Sequence, residues 1–228
     1  MGVRMLGIDT PELHFPGNSS PEKSDPLLAK LPSTAQFKKL PKELREYLEP
    51  RLEKGGEIQK KWALKAKEAL ERIVSEGLKK EKGGRRKVFL ACGKEVIDCY
   101  GRILAFAGPF MTKEEREEFG QPDTFNLRML KEGFAVSNIH FPNIPKEEDI
   151  KLAVDAVRNA KNKGLGFWKE KQKILLGYEF RALVRLAKGE KGFRYKVGDL
   201  REILSGKKAE YQKAEEYIFI PEEYRVFK

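Results

Sequence analysis

Val3-Arg4-Met5-Leu6-Gly7-Ile8-Asp9-Thr10-Pro11-Glu12 is the stretch whose reading decides the fold. The apolar run of Val3, Met5, Leu6 and Ile8 has the character of a buried strand. Pro11 has no amide hydrogen to give a sheet ladder, so the chain turns there. The turn leaves Asp9 and Glu12 at a strand end, with Arg4 upstream on the same strand. Two carboxylates and a guanidinium brought together suit a hard metal ion and a phosphate. Taken alone, the same residues also read as an ordinary surface turn.

A second stretch answers the first. Asp98-Cys99-Tyr100-Gly101-Arg102 leads into the apolar run Ile103-Leu104-Ala105-Phe106, with an arginine at its start. Between them, Gly56–Val74 places Ile58, Trp62, Ala66, Ala69, Leu70 and Ile73 on one face, as a helix packed on a core does. Trp62 reads as core rather than as a ring for stacking bases. Val88–Phe106 predicts a hairpin turning at Gly93-Lys94. Phe125–Lys131 predicts a short helix ended by Gly133, and Ile150–Trp168 a further amphipathic helix.

Arginine, four residues, Asp-Thr-Pro-Glu, a helix, a hairpin and Asp-x-Tyr-Gly-Arg, in this order, resemble the staphylococcal-nuclease (thermonuclease) family. The resemblance implies an α+β fold, an OB-type β-barrel with three helices. It covers residues 1–170, interrupted by insertions at 13–55 and 108–121; residues 171–228 form a C-terminal extension. It implies a calcium-dependent nuclease acting on DNA or RNA with low sequence specificity. Asp9 and the Thr10 carbonyl resemble the calcium ligands, and Glu12 the general base. Arg4 and Arg102 resemble the phosphate clamp, and Tyr100 the tyrosine that bonds a terminal phosphate. His140 and Phe141 are the candidates for rings that stack on a base. The alternative is a non-catalytic nucleic-acid-binding module on the same fold.

One departure stands out. The family domain normally begins with two further strands and, between them, another calcium-binding aspartate. Here only Met1, Gly2 and Val3 precede Arg4. Three arrangements would compensate: an insertion or the extension fills the gap, a second copy adds a strand to give a homodimer, or the gene product begins upstream of Met1. The last is the expectation, and with it poor calcium binding by the chain as given.

The insertion at 13–55 holds six prolines and reads as an irregular loop followed by a helix from Pro41 to Leu48. Leaving directly from Glu12, it is expected at the mouth of the site, either as a flap or as a bystander. Gly108–Gln121 predicts an exposed helical turn. In the extension, helices are expected at Leu175–Ala187 and Leu200–Leu204, and strands at Phe193–Val197 and Tyr217–Ile220. Its aromatic residues interleave with Lys and Arg, either as a small core or as a nucleic-acid surface.

Composition narrows the partners. A net charge of +11 favours polyanions, chiefly nucleic acid. Six of the nine residues Lys79–Lys87 are basic, in what reads as a loop. Charged residues make up 36%, mostly Lys, Arg and Glu, as on the ion-pair-rich surfaces of thermophile proteins. No apolar stretch has the length of a membrane span, and no signal peptide is visible. Cys92 and Cys99 fall on facing hairpin arms, where free thiols are favoured over a disulfide. The two histidines are too few for a zinc site.

Overall fold

A computed structural model describes residues 2–80 and 83–228. The decapeptide is two strands, β1 (Val3–Met5) and β2 (Gly7–Asp9), broken at Leu6. Gly7 has φ of +72°, a conformation that favours glycine, and the bend there sends the two halves into different sheets. The buried amide of Asn126 staples the bend. Its Nδ2 donates to the Leu6 carbonyl at 2.8 Å, and its Oδ1 accepts from the Ala107 amide at 2.9 Å.

The insertion is not an irregular loop. It folds as α1 (Asp25–Lys30), α2 (Ala35–Lys38) and α3 (Lys42–Leu48), joined by 3-10 turns. Pro21, Pro26, Pro32 and Pro50 stand in the first turns of these short elements, where a missing amide hydrogen costs nothing. Leu28, Leu31, Phe37, Leu44 and Leu48 are fully buried in the main core. The flap reading is therefore overturned: this segment is a wall of the core. The Asp25 carboxylate accepts from the amides of Gly56 and Glu57, capping the long helix α4 (Gly55–Leu78). On α4, Trp62 is buried, and its indole donates to Glu170 at 2.9 Å.

The hairpin arms are β3 (Val88–Ile97) and β4 (Ile103–Pro109), and the turn is at Asp98–Gly101, not at Gly93-Lys94. Asp98 makes that turn, its Oδ1 accepting from the amides of Tyr100 (2.9 Å) and Arg102 (3.0 Å). The Asn143 side chain bonds both backbone groups of Glu95 and keeps the Gly93–Glu95 stretch in strand form. Cys92 therefore faces Ala105 while Cys99 lies in the turn, and both are free and exposed. Glu81 and Lys82 of the basic cluster lie outside the described residues.

Next come the exposed α5 (Lys113–Phe119), α6 (Phe125–Lys131), β5 (Val136–His140) and α7 (Glu147–Asn162). The extension gives α8 (Gly177–Ala187), β6 (Lys196–Asp199), α9 (Leu200–Leu204), β7 (Gln212–Lys213) and β8 (Arg225–Phe227). The strand expected at Tyr217–Ile220 is instead part of a 3-10 stretch, Ala214–Phe219. Burial of Tyr217, whose hydroxyl donates to Glu179 at 3.2 Å, outweighs the strand propensity of that run.

One sheet runs β1-β4-β3, with β1 parallel to β4; the other runs β2-β5-β8-β6-β7. The fold is mixed α and β, and the two sheets do not close into the expected barrel. Among the described residues, neither insertion nor extension pairs along the outer edge of β1. The extension instead adds its strands beyond β5, and its side chains share one hydrophobic core with the rest. No helix among the described residues is long and apolar enough to cross a membrane.

Candidate active site

Asp9 ends β2, opposite Val136 of β5, and buried Pro11 turns the chain away. The amide of Glu12 donates to Gln59 Oε1 at 2.9 Å, and Gln59 in turn donates to the Leu175 carbonyl. Gln59 is fully buried, so α4 holds the Asp-Thr-Pro-Glu turn from behind.

The two carboxylates meet on Arg181 of α8. Its Nη1 lies 3.1 Å from Asp9 Oδ1 and its Nη2 3.2 Å from Asp9 Oδ2, a forked pair. Nη1 also donates to Glu12 Oε1. All three side chains are largely buried. Burial raises the Glu12 carboxyl above the usual glutamate range, Arg181 opposes the rise, and the Asp9 charge adds to it. Burial disfavours the Arg181 charge, but the two carboxylates more than compensate. Arg185, one helical turn on, adds positive charge near Glu12. The helix can come this close because Gly177 has no side chain. A Cβ there would lie 2.5 Å from the Thr10 carbonyl oxygen and 2.6 Å from Asp9 Oδ2.

Arg4 stands opposite Leu104 in the parallel β1–β4 pair, and the Ile103 amide donates to the Gly2 carbonyl. That register sets Arg4 and Arg102 two residues apart on one sheet face. Arg4 is exposed, with no ion-pair partner among the described residues. Arg102 is held by Asp98, with Nε and Nη2 at 2.8 and 2.7 Å from Oδ2. Its guanidinium lies 5.2 Å from the centre of the Tyr100 ring, which is 78% exposed.

His140 ends β5 with its ring stacked on Phe227 at 5.3 Å and edge-on to Tyr195 at 5.1 Å. Burial, with the Arg4 and Arg181 charges adding to it and Asp9 opposing, lowers its pKa to about 4. It is therefore neutral at pH 7 and its ring already has protein partners. Phe141, half exposed, is the ring left open, with Lys228 Nζ 5.1 Å from its centre.

The structure thus brings Asp9 and Glu12 together on Arg181, puts Arg4 near enough to His140 for its charge to act there, and sets Tyr100 and Arg102 at the hairpin turn. Sequence reasoning missed Arg181, Arg185, Gln59 and Gly177. The one signal was the pair Arg181 and Arg185, four apart on a helix that buries Phe180, Leu183 and Val184.

Calcium tests the arrangement. The donors are of the right kind, hard carboxylate and carbonyl oxygens. Yet Arg181 fills the space between Asp9 and Glu12, and the start of α8 presses on the Thr10 carbonyl. Among the described residues, no group of three Asp, Glu, His or Cys could share an ion. As folded, these residues do not fit a calcium ion. In comparisons with known proteins, a family model described as staphylococcal nuclease homologue matches residues 2–170. A search of curated proteins found no match.

Proposed function

The chain belongs to the staphylococcal nuclease family, and from that premise we propose that it hydrolyses phosphodiester bonds of DNA or RNA with little sequence selectivity. Nuclease activity is general in the family, and calcium its usual cofactor. The observation that carries the reading is Glu12: a carboxylate at a strand end whose pKa burial has raised. A base poised closer to neutrality takes a proton from water more effectively. Arg4 and Arg102 share a sheet face, where their forked donors suit the non-bridging oxygens of a phosphate. As water attacks, negative charge builds on those oxygens, and the two guanidiniums offset it. Tyr100, exposed beside Arg102, suits a terminal phosphate, and Phe141 suits a base.

The test is cleavage of single-stranded DNA and RNA by the purified chain, with calcium and with a chelator. Replacing Glu12 by Gln or Arg102 by Ala is expected to slow cutting by about 10²–10⁴-fold with a smaller effect on binding. Variants that cut as fast as the parent would remove these residues from the mechanism. The alternative, a binding module without catalysis, is favoured by one contact: Arg181 holds both carboxylates. Salt-dependent binding with no cleavage under either condition would establish it.

A further inference from the structure

We propose that the Arg181 guanidinium takes the seat of a divalent cation between Asp9 and Glu12, so that this chain carries an internal, tethered cation in its catalytic site. The inference rests on the reading of Asp9 and Glu12 as that site. One planar group serves both carboxylates, with a fork to Asp9 and a further bond to Glu12. A hard ion would need the same oxygens. It would also have to enter beside Arg181 and Arg185, whose charges repel it.

The tether is firm. The helix that carries Arg181 buries Phe180, Leu183 and Val184 completely. Its residue Glu179 is fully buried and bonded to Tyr47 and Tyr217. Withdrawing the guanidinium by moving the helix would therefore disrupt the core. Covalent attachment also holds the cation at a high effective concentration that a free ion must exceed. Gly177 lets the helix press on the Thr10 carbonyl, the other oxygen the resemblance assigns to calcium.

Calcium titration of the full chain by calorimetry tests this without any need for cleavage. The parent is expected to take up no calcium saturably below millimolar concentrations. Arg181→Gln and Arg181→Met, checked for native circular dichroism, are expected to bind at least ten times tighter than the parent. Adding Asp9→Asn to either should abolish that gain. Saturable, Asp9-dependent binding by the parent overturns the proposal, and so do folded Arg181 variants that bind no better. The parent titration decides even if the variants do not fold. Loss of the nuclease reading would show separately, as absent cleavage in every metal condition.

A different observation carries a second proposal. A cleft of about 660 Å³ opens beside β6, β7 and the end of β8, beyond the family-matched residues. Five Lys and Arg side chains line it against one described carboxylate, that of Glu215. Among the described residues, Lys196, Lys213 and Lys228 have no ion-pair partner there. Tyr195 is half exposed on its wall, and the other edge of that ring meets His140. Tyr195 thus joins the cleft to His140 at the end of β5, the strand that pairs with the one ending at Asp9. We infer that it takes a single-stranded stretch of the nucleic-acid substrate, phosphates on the lysines and bases on the rings.

The probe is a fluorescent single-stranded DNA oligonucleotide, followed by anisotropy in the Glu12→Gln background so that no cutting intervenes. Replacing Lys196 and Lys213 by Glu is expected to weaken binding about tenfold or more. It should also flatten the salt dependence by about 1.4 in slope, two single-strand phosphate contacts. Unchanged affinity or an unchanged slope overturns the assignment, whether or not the parent is a nuclease.

Discussion

Glu12 and Arg181 are coupled, and the coupling has a sign. A general base works as the carboxylate, so activity is lost as pH falls through its folded pKa. Burial has raised that pKa, so the ascending limb of kcat/KM is expected above the ordinary glutamate value of 4.5. Arg181 lowers the Glu12 pKa, so Arg181→Gln should move the limb to higher pH. A pH–rate profile of the two proteins with a chelator present, so that no cation replaces the guanidinium, checks this, and a limb that stays in place or moves down would refute the coupling. The linkage to stability runs the other way. A carboxyl raised in the folded state binds its proton more tightly there than in the unfolded chain. Its contribution to stability is full below the unfolded pKa and is lost as pH rises through the folded one. The site thus gains its base as it gives up stability.

At the scale of elements, α8 is the joint of the molecule. Its Glu179 accepts from the Leu176 amide at 2.9 Å and from the Tyr47 hydroxyl at 3.1 Å, which ties the insertion to the extension. Arg225 of β8 lies 3.6 Å from the same carboxylate and donates to Ile220 and Tyr178. Burial pushes the Glu179 carboxyl up, and the Arg225 charge is what holds it down. Arg225→Met removes that charge and leaves a carboxylate buried without its cation. The expected loss is about 3–5 kcal/mol, or about 6–20 °C in Tm for a chain of this size. Thermal unfolding at pH 7 measures it, and a fall under about 2 °C would mean that the pair does not hold the joint. The insertion is part of the same element-level logic. Deleting residues 17–40 would remove Leu28, Leu31 and Phe37, each fully buried, so its first effect is on stability and not on substrate affinity.

At the scale of the whole molecule, the extension is inseparable from the core. Phe180, Leu183, Val184, Val197 and Tyr217 are buried with the helices that precede them, and β6, β7 and β8 complete the second sheet. A chain ending at residue 170 is expected to lose cooperative thermal unfolding. A sharp transition near that of the full chain would show that the first 170 residues fold alone. Much of this molecule was nonetheless legible in local pattern. The apolar faces of α4 and α7, the short α6 and the strand ending at Asp9 follow from spacing and from Pro11, because periodicity and turn chemistry act over a few residues. The residues Arg4, Asp9, Glu12 and Arg102 were legible because the motif that holds them is short. The hairpin turn was misplaced because Asn143, 48 positions along, holds Glu95 in the strand. The insertion was misread because its prolines open helical turns, and only packing tells such turns from loop. Arg181 carries no motif, and 172 positions separate it from Asp9. The sequence by itself determined the strand-end carboxylates, the helices α4, α6 and α7, and the family. Tertiary structure alone decided what lies between those carboxylates, because a buried charge takes as partner whatever opposite charge the fold brings to it.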